Sequence, residues 1–404
     1  ATGISYTVDG TASGTIANGT TSGSGTIEAF ASAVGGAPVQ NTGVPVLTTT
    51  VAGNPAILTS MGVAVTTTTT STADSAVARG ITIAAADVAD LSITNNGTIS
   101  AGAVNDDAGL AQATGVRIVA ETVETNVLTG GGATATTSVT QGGTVTGALV
   151  VNSASGVISA VATGGGTVTA NGIHVNAAVN SATVTNDGTI FVQANGTGTA
   201  AIVNANGILF SAGAPQLSQT SMGAFVTTGG GTTANSANAN IVTLTSTGVA
   251  TINNSGTIIA QEDVDNDGVF EFGNAINTDG APNAVNINLL GGGTIYGNIE
   301  ISDDDAITVS DGETSFEGIV NSDMALEGSL VIAPDGALYL RNDLDDDGNP
   351  SDPTTYNGPS YVYVDDFSVT NGGTIIYELP VTGDPAIDGP YPQVFANTAD
   401  ITDG

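Results

Sequence analysis

Apolar and polar residues alternate along most of this chain, in short runs separated by small turns. Leu91, Ile93 and Ile99 flank Asn95-Asn96-Gly97. Val184 and Ile190 flank Asn186-Asp187-Gly188, and Ile252 and Ile258 flank Asn253-Asn254-Ser255-Gly256. Looser copies surround Gln141-Gly142-Gly143 and Asn371-Gly372-Gly373. Side chains of an extended strand point alternately to opposite faces, so each run has one face to bury and one to wet. The Asn and Gly residues tolerate positive φ, which a tight corner needs. No long stretch repeats apolar residues at a helical period, so the chain is predicted to be all-β.

A strand, a corner and a second strand cannot cover their own apolar face. Recurrence of that unit predicts coils stacked into a parallel β-solenoid, each covering its neighbours. Asparagines at equivalent corners are then expected to bond amide to amide along the stack. A second motif accompanies the first: Ala78-Arg79-Gly80-Ile81-Thr82-Ile83, then Ala113 to Ile118, Ala170 to Val175 and Ala205 to Phe210. Where the two motifs lie far apart, the excess is Gly, Thr, Ala and Ser, at roughly 124–138 and 211–240. These segments are expected to be loops or flaps thrown out from one face. Gly-Thr-Ile turns at residues 14–16 and 25–27 suggest first coils or a cap, and the run Thr66 to Thr70 suits an exposed edge or an extended loop. At about 20–30 residues per coil the chain would make roughly 12–18 coils.

The chain changes character near residue 261. Of its 38 acidic residues, 28 fall in residues 262–403, and seven of eight tyrosines follow residue 290. Residues 1–284 therefore read as a repetitive β-helix with Gly/Thr-rich insertions. Residues 285–404 read as an acidic, aromatic-richer C-terminal β-helix or stem that closes the stack. Lys+Arg number 3 against 38 acids, a formal net charge of −35. A basic nucleic-acid-binding face is excluded, and adsorption to anionic lipid is disfavoured. Cysteine is absent, so neither disulfides nor thiol chemistry operates. No run of about 18 apolar residues exists, so no direct membrane insertion by a helix of this segment is expected. The first residues carry no basic or apolar leader, as in a mature secreted chain.

The Asn-x-Gly-Thr-Ile coils at 95–99, 186–190 and 253–258 resemble the passenger domains of autotransporters (type V secretion), particularly alphaproteobacterial ones. So does the ordered series Gly328 to Leu338, Val364 to Val369 and Gly372 to Leu379, which is similar to the stem before the membrane barrel. The resemblance covers most of residues 78–395. It implies a right-handed parallel β-helix, export through a C-terminal outer-membrane barrel, and an extracellular or cell-surface location in a Gram-negative bacterium.

Two short segments carry candidate chemistry. Asp263-Val264-Asp265-Asn266-Asp267-Gly268 and Asp343-Leu344-Asp345-Asp346-Asp347-Gly348 match the first half of a calcium loop. Such loops have oxygen donors at positions 1, 3 and 5 and a glycine at 6. The metal ligands are expected to be Asp263, Asp265 and Asp267, and Asp343, Asp345 and Asp347, with Ca2+ as the ion. Asn274 and Thr354 stand where a bidentate Glu would close the site, leaving Glu271 or Asp352 as substitutes. Asp303-Asp304-Asp305 reads as a plain acidic turn, and His174, between Ile173 and Val175, should face outward into solvent. Enzymes on β-helices are the rival class, and Asn277-Thr278-Asp279 superficially matches one acidic element of polygalacturonases. His174 lies far from it in sequence, no Arg-x-Lys pair or Gly-x-Ser-x-Gly elbow exists, and tryptophan is absent. The expected role is therefore non-catalytic: adhesion, aggregation or surface coating, through self-association (end-to-end or lateral) or contact with a host or neighbour cell surface. The alternative is a calcium-stabilised structural subunit of a surface layer or extracellular filament.

Overall fold

The computed structural model describes residues 1–19, 25–33, 47–50, 56–60, 64–71, 75–105, 109–130, 133–197, 202–212, 216–218, 227–228, 231–232, 240–242, 248–266, 268, 270–342, 359–378 and 391–402. Strands dominate them and no helix occurs among them. A full coil has three legs, as in Thr167–Asn176, Ala178–Asn186 and Thr189–Gly196. Each leg pairs in parallel with the same leg of the coils on either side. The first pairs with 110–119 and Ile202–Ser211. The second pairs with Thr144–Asn152 and Val249–Asn254, and the third with Val157–Gly164 and Thr257–Asp263. The fold is thus an all-β parallel solenoid.

The third-leg sheet has ten strands in line, from Ala64–Ser71 at one end to Thr374–Tyr377 at the other. At ~4.8 Å per strand this spans about 45 Å. Among the described residues the stack has ten third-leg strands rather than the 12–18 coils expected, and the hairpin of Glu121–Gly130 with Ala133–Gly142 takes up residues that the expectation gave to coils. The Thr66 to Thr70 run does lie on an edge strand. Its coil is out of sequence order: Leu47–Thr50, Ala56–Ser60 and Ala64–Ser71 pair with Thr2–Asn18 and Thr26–Ala33. Ser75–Asn95 and Thr98–Asn105 pair with those same two strands as well. The N-terminal coil is therefore flanked on both sides.

The core is a set of columns along the stack. Ile27, Ile99, Ile158, Ile190, Ile258, Ile295, Phe316 and Leu340 follow one another in register on the third leg, each buried. Burial of one such side chain is worth roughly 1.5–3 kcal/mol. The corner asparagines form the expected ladder. The Nδ2 of Asn18 donates to Oδ1 of Asn95, Asn95 to Asn152, Asn152 to Asn186 and Asn186 to Asn254, at 2.7–2.8 Å. The first four also donate to a backbone carbonyl across the corner, at Thr98, Val157, Thr189 and Thr257. Gly80, Gly115, Gly172 and Gly207 form a column on the first leg. A Cβ on Gly172 would lie 2.5 Å from both the Gly207 carbonyl and Ile190. Only glycine lets the first leg approach the third so closely.

The long insertions leave the corner between first and second legs. One is an antiparallel hairpin pairing Glu121–Gly130 with Ala133–Gly142, and the other holds the antiparallel pair Gln216–Ser218 and Asn240–Val242. At the far end Gln393–Ile401 pairs with Tyr361–Val369, and Phe395 stacks on Tyr363 with ring centres 4.8 Å apart. Among the described residues no strand covers the other edge of Gln393–Ile401.

Candidate functional site

The first aspartate loop begins on the third leg. Alternation puts Ile258, Ala260 and Glu262 in register with the inward-facing Ile190, Val192 and Ala194. Glu262 thus carries a carboxyl into the solenoid wall, where its Oε1 accepts the backbone N–H of Ala205 at 2.6 Å. Burial pushes its pKa up to about 7; the Ala205 bond opposes this and the Glu271 charge adds to it. Asp263 ends the strand 6% exposed, with its Oδ1 buried and unpartnered. The chain passes through exposed Val264 and Asp265 and turns at Asn266 (φ 59°) and Gly268 (φ 82°). It returns as Glu271–Phe272, antiparallel to Gln261–Glu262. The N–H of Val264 donates to Oε2 of Glu271 at 3.4 Å.

The loop is therefore a hairpin tip. Of its expected metal ligands, Asp263 lies against the wall and Asp265 stands in solvent, while Asp267 falls outside the described residues. Asp343, Asp345 and Asp347 also fall outside them. Among the described residues no three Asp, Glu, His or Cys side chains converge as a metal site would require. The first aspartate segment lies at the corner between third and first legs, where it follows Thr257–Asp263.

The corner between first and second legs holds a second acidic region. Asp279, Asp303, Asp304 and Glu327 line a cleft of about 280 Å³. Glu327 is held above its ordinary pKa by desolvation and then by the charges of Asp303, Asp279, Asp323 and Glu300. Asp305 is not part of an exposed acidic turn. It is buried, and its carboxylate accepts from Thr278 Oγ1 and the Val285 N–H, both at 2.7 Å, and from the Ser302 N–H at 3.0 Å. It acts as a corner clamp, raised in pKa by burial. Asp279 is exposed at the cleft rim.

The cations lie in two separate places. Arg341 reaches Glu317 at 3.6 Å, Glu378 at 3.7 Å and the Tyr296 hydroxyl at 3.2 Å. Arg79, Arg117 and His174 lie together on the outward face of the first leg, over consecutive coils. Arg117 is in register with Thr82 on one side and His174 on the other. Arg79 donates to Gln112 Oε1 at 3.2 Å, and His174 Nε2 lies 2.9 Å from Ser211 Oγ. His174 faces outward as alternation requires, but it is half-buried rather than fully solvated. Burial first, then the charges of Arg117 and Arg79, push its pKa down to about 4.

Glu262 and Asp305 escape a reading based on clustered acids. The signal for Glu262 was present, because period-two counting from Ile258 places it inward. No family model, no curated protein and no solved structure matches the chain.

Proposed function

We propose that this chain is a non-catalytic, secreted cell-surface protein, of the autotransporter-passenger kind, that serves adhesion, aggregation or surface coating. The observation that supports this best is the architecture: an asparagine-laddered stack with exposed acidic residues at its corners, among them Asp265, Asp279, Asp303 and Asp304. A stack of this kind gives a long, regular surface and needs neither disulfides nor a compact active site. Its negative exterior suits a polymer-rich surface layer and keeps the protein soluble.

The second reading, a calcium-stabilised subunit of a surface layer or filament, draws on the uncovered edge of Gln393–Ile401. Ile401 is 71% exposed and Phe395 39% exposed on this end strand. An uncovered strand offers N–H and C=O groups to another copy, and such a head-to-tail contact propagates rather than closes. Thermal unfolding and particle size, measured with calcium and then with excess chelator, separate the two readings. Loss of large particles and a fall in Tm of several degrees in chelator favour the layer or filament. A monomer with unchanged Tm favours the metal-independent passenger.

A further inference from the structure

The outward face of the first leg presents an oddity that neither reading uses. The protein has 38 carboxylates and three arginines. Arg341 takes two of those carboxylates, yet among the described residues neither Arg79 nor Arg117 has one within ion-pair distance. Four buried polar atoms without a hydrogen-bond partner gather around them: Arg79 Nε, Thr82 Oγ1, Thr114 Oγ1 and His174 Nδ1. The pairing register explains the gathering. Arg79 lies beside Thr114, and Thr82 lies beside Arg117, which lies beside His174. The glycines Gly80, Gly115 and Gly172 lie between the two columns and add no side chain that could partner these atoms. Thr114 is 0% exposed and Thr82 9%.

We propose that Arg79, Thr82, Thr114, Arg117 and His174 form an oxyanion-binding site that takes a carboxylate or sulfate group. The chemistry of the orphaned atoms selects that ligand. An arginine N–H only donates, a threonine hydroxyl can donate, and the His174 Nδ1 becomes a donor when the ring is protonated, which is why a bound anion should favour that form. A buried donor without an acceptor costs about 1–3 kcal/mol, and one multi-oxygen anion satisfies several at once. A metal cation is disfavoured, since the two guanidinium groups repel it. The charged neighbour on the same strand is Glu121, whose charge favours protonated Arg117 but does not pair with it. The anion has two available sources, a free or polymer-borne oxyanion and the acidic half of a second copy.

His174 is the only histidine, so its imidazole signals report on the site alone. The experiment is an NMR pH titration of the His174 ring in chloride, and then in sulfate or acetate at matched ionic strength. A bound anion offsets the Arg117 and Arg79 repulsion and raises the His174 midpoint by about one unit or more, a tenfold coupling. A rise that appears with added sulfate or acetate assigns a free oxyanion. A rise that appears with protein concentration alone assigns the carboxylates of a second copy. In either case the rise should vanish in the R79Q/R117Q double variant and persist in R341Q, whose arginine lies elsewhere, with the β-sheet circular dichroism of both retained. No rise under any condition, or a rise that survives R79Q/R117Q, overturns the site. Should the double variant fail to fold, R117Q alone provides the same readout.

Discussion

The coils before residue 263 and those after residue 270 solve the same stacking problem differently. In the first region one coil is long: Asn152 and Asn186 occupy the same corner 34 residues apart. In the second region Ile301 and Asn321 are linked across one coil with a separation of only 20. First legs shrink from ten residues in Thr167–Asn176 to two in Ile319–Val320. The asparagine ladder stops where Asn254 meets Leu289, and the column continues as Val309, Ile332 and Val369. The glycine column ends likewise, with Ala275 after Gly207. Corners in the second region turn instead on left-handed residues, among them Gly292 (φ 88°), Asp311 (φ 60°) and Asp335 (φ 63°). The comparison shows that a buried polar ladder is one way to hold a corner and that backbone geometry with an apolar column is another. The second way frees polar side chains for the exterior, and that region carries most of the acid.

Breaking the features peculiar to the first region should therefore cost most. Gly172→Ala forces a Cβ to 2.5 Å from the Gly207 carbonyl and from Ile190, and overpacking of that kind should lower unfolding stability by about 3 kcal/mol. At the matching second-region position Ala275→Gly should cost no more than about 1 kcal/mol. Urea denaturation of both variants checks the contrast. Asn152→Ala removes a middle rung bonded on both sides. It should cost about 2 kcal/mol by stranding amides of its neighbours. Asn254→Ala removes the last rung, whose loss leaves Asn186 still bonded to Thr257, and should cost about half as much.

The boundary between the regions should respond to pH. The Glu262 carboxyl is raised in pKa to about 7 in the folded chain. A raised carboxyl favours folding in its protonated form, so this contribution is full below the ordinary carboxylate range and is lost as pH rises through 7. Glu262→Gln keeps a hydrogen-bond acceptor for Ala205 and removes the charge. It should be more stable than the parent by about 1–2 kcal/mol at pH 8 and indistinguishable at pH 4. Chemical denaturation at the two pH values measures this.

Much of the stack was legible in the residues. Alternation and Asn-Gly corners predict the legs, the parallel pairing and the ladder, because each depends on local geometry repeated along the chain. The placement of 47–71 beyond the first coil was not legible, since no local pattern states on which side a coil will stack. His174 shows the same limit. Its outward direction follows from Ile173 and Val175, but its partial burial comes from other coils, with Arg117 and Leu209 in register on either side and Ser211 against its ring. Asp263 reads as a loop residue in the Asp-x-Asp pattern. It is instead the last residue of a third-leg strand, buried and in register with Asn195 of the neighbouring coil, which sequence spacing alone does not reveal.

The ladder and the long legs make the first region the more firmly held part of one continuous stack. Native-state hydrogen exchange, read segment by segment, tests it most directly. The legs within 144–196 should exchange slowest, and those within 298–377 should open first and at lower free energy. Asn152→Ala should then bring the two regions closer together. Slower exchange in 298–377 than in 144–196, or a profile unmoved by Asn152→Ala, would show that the ladder does not hold the first region more firmly.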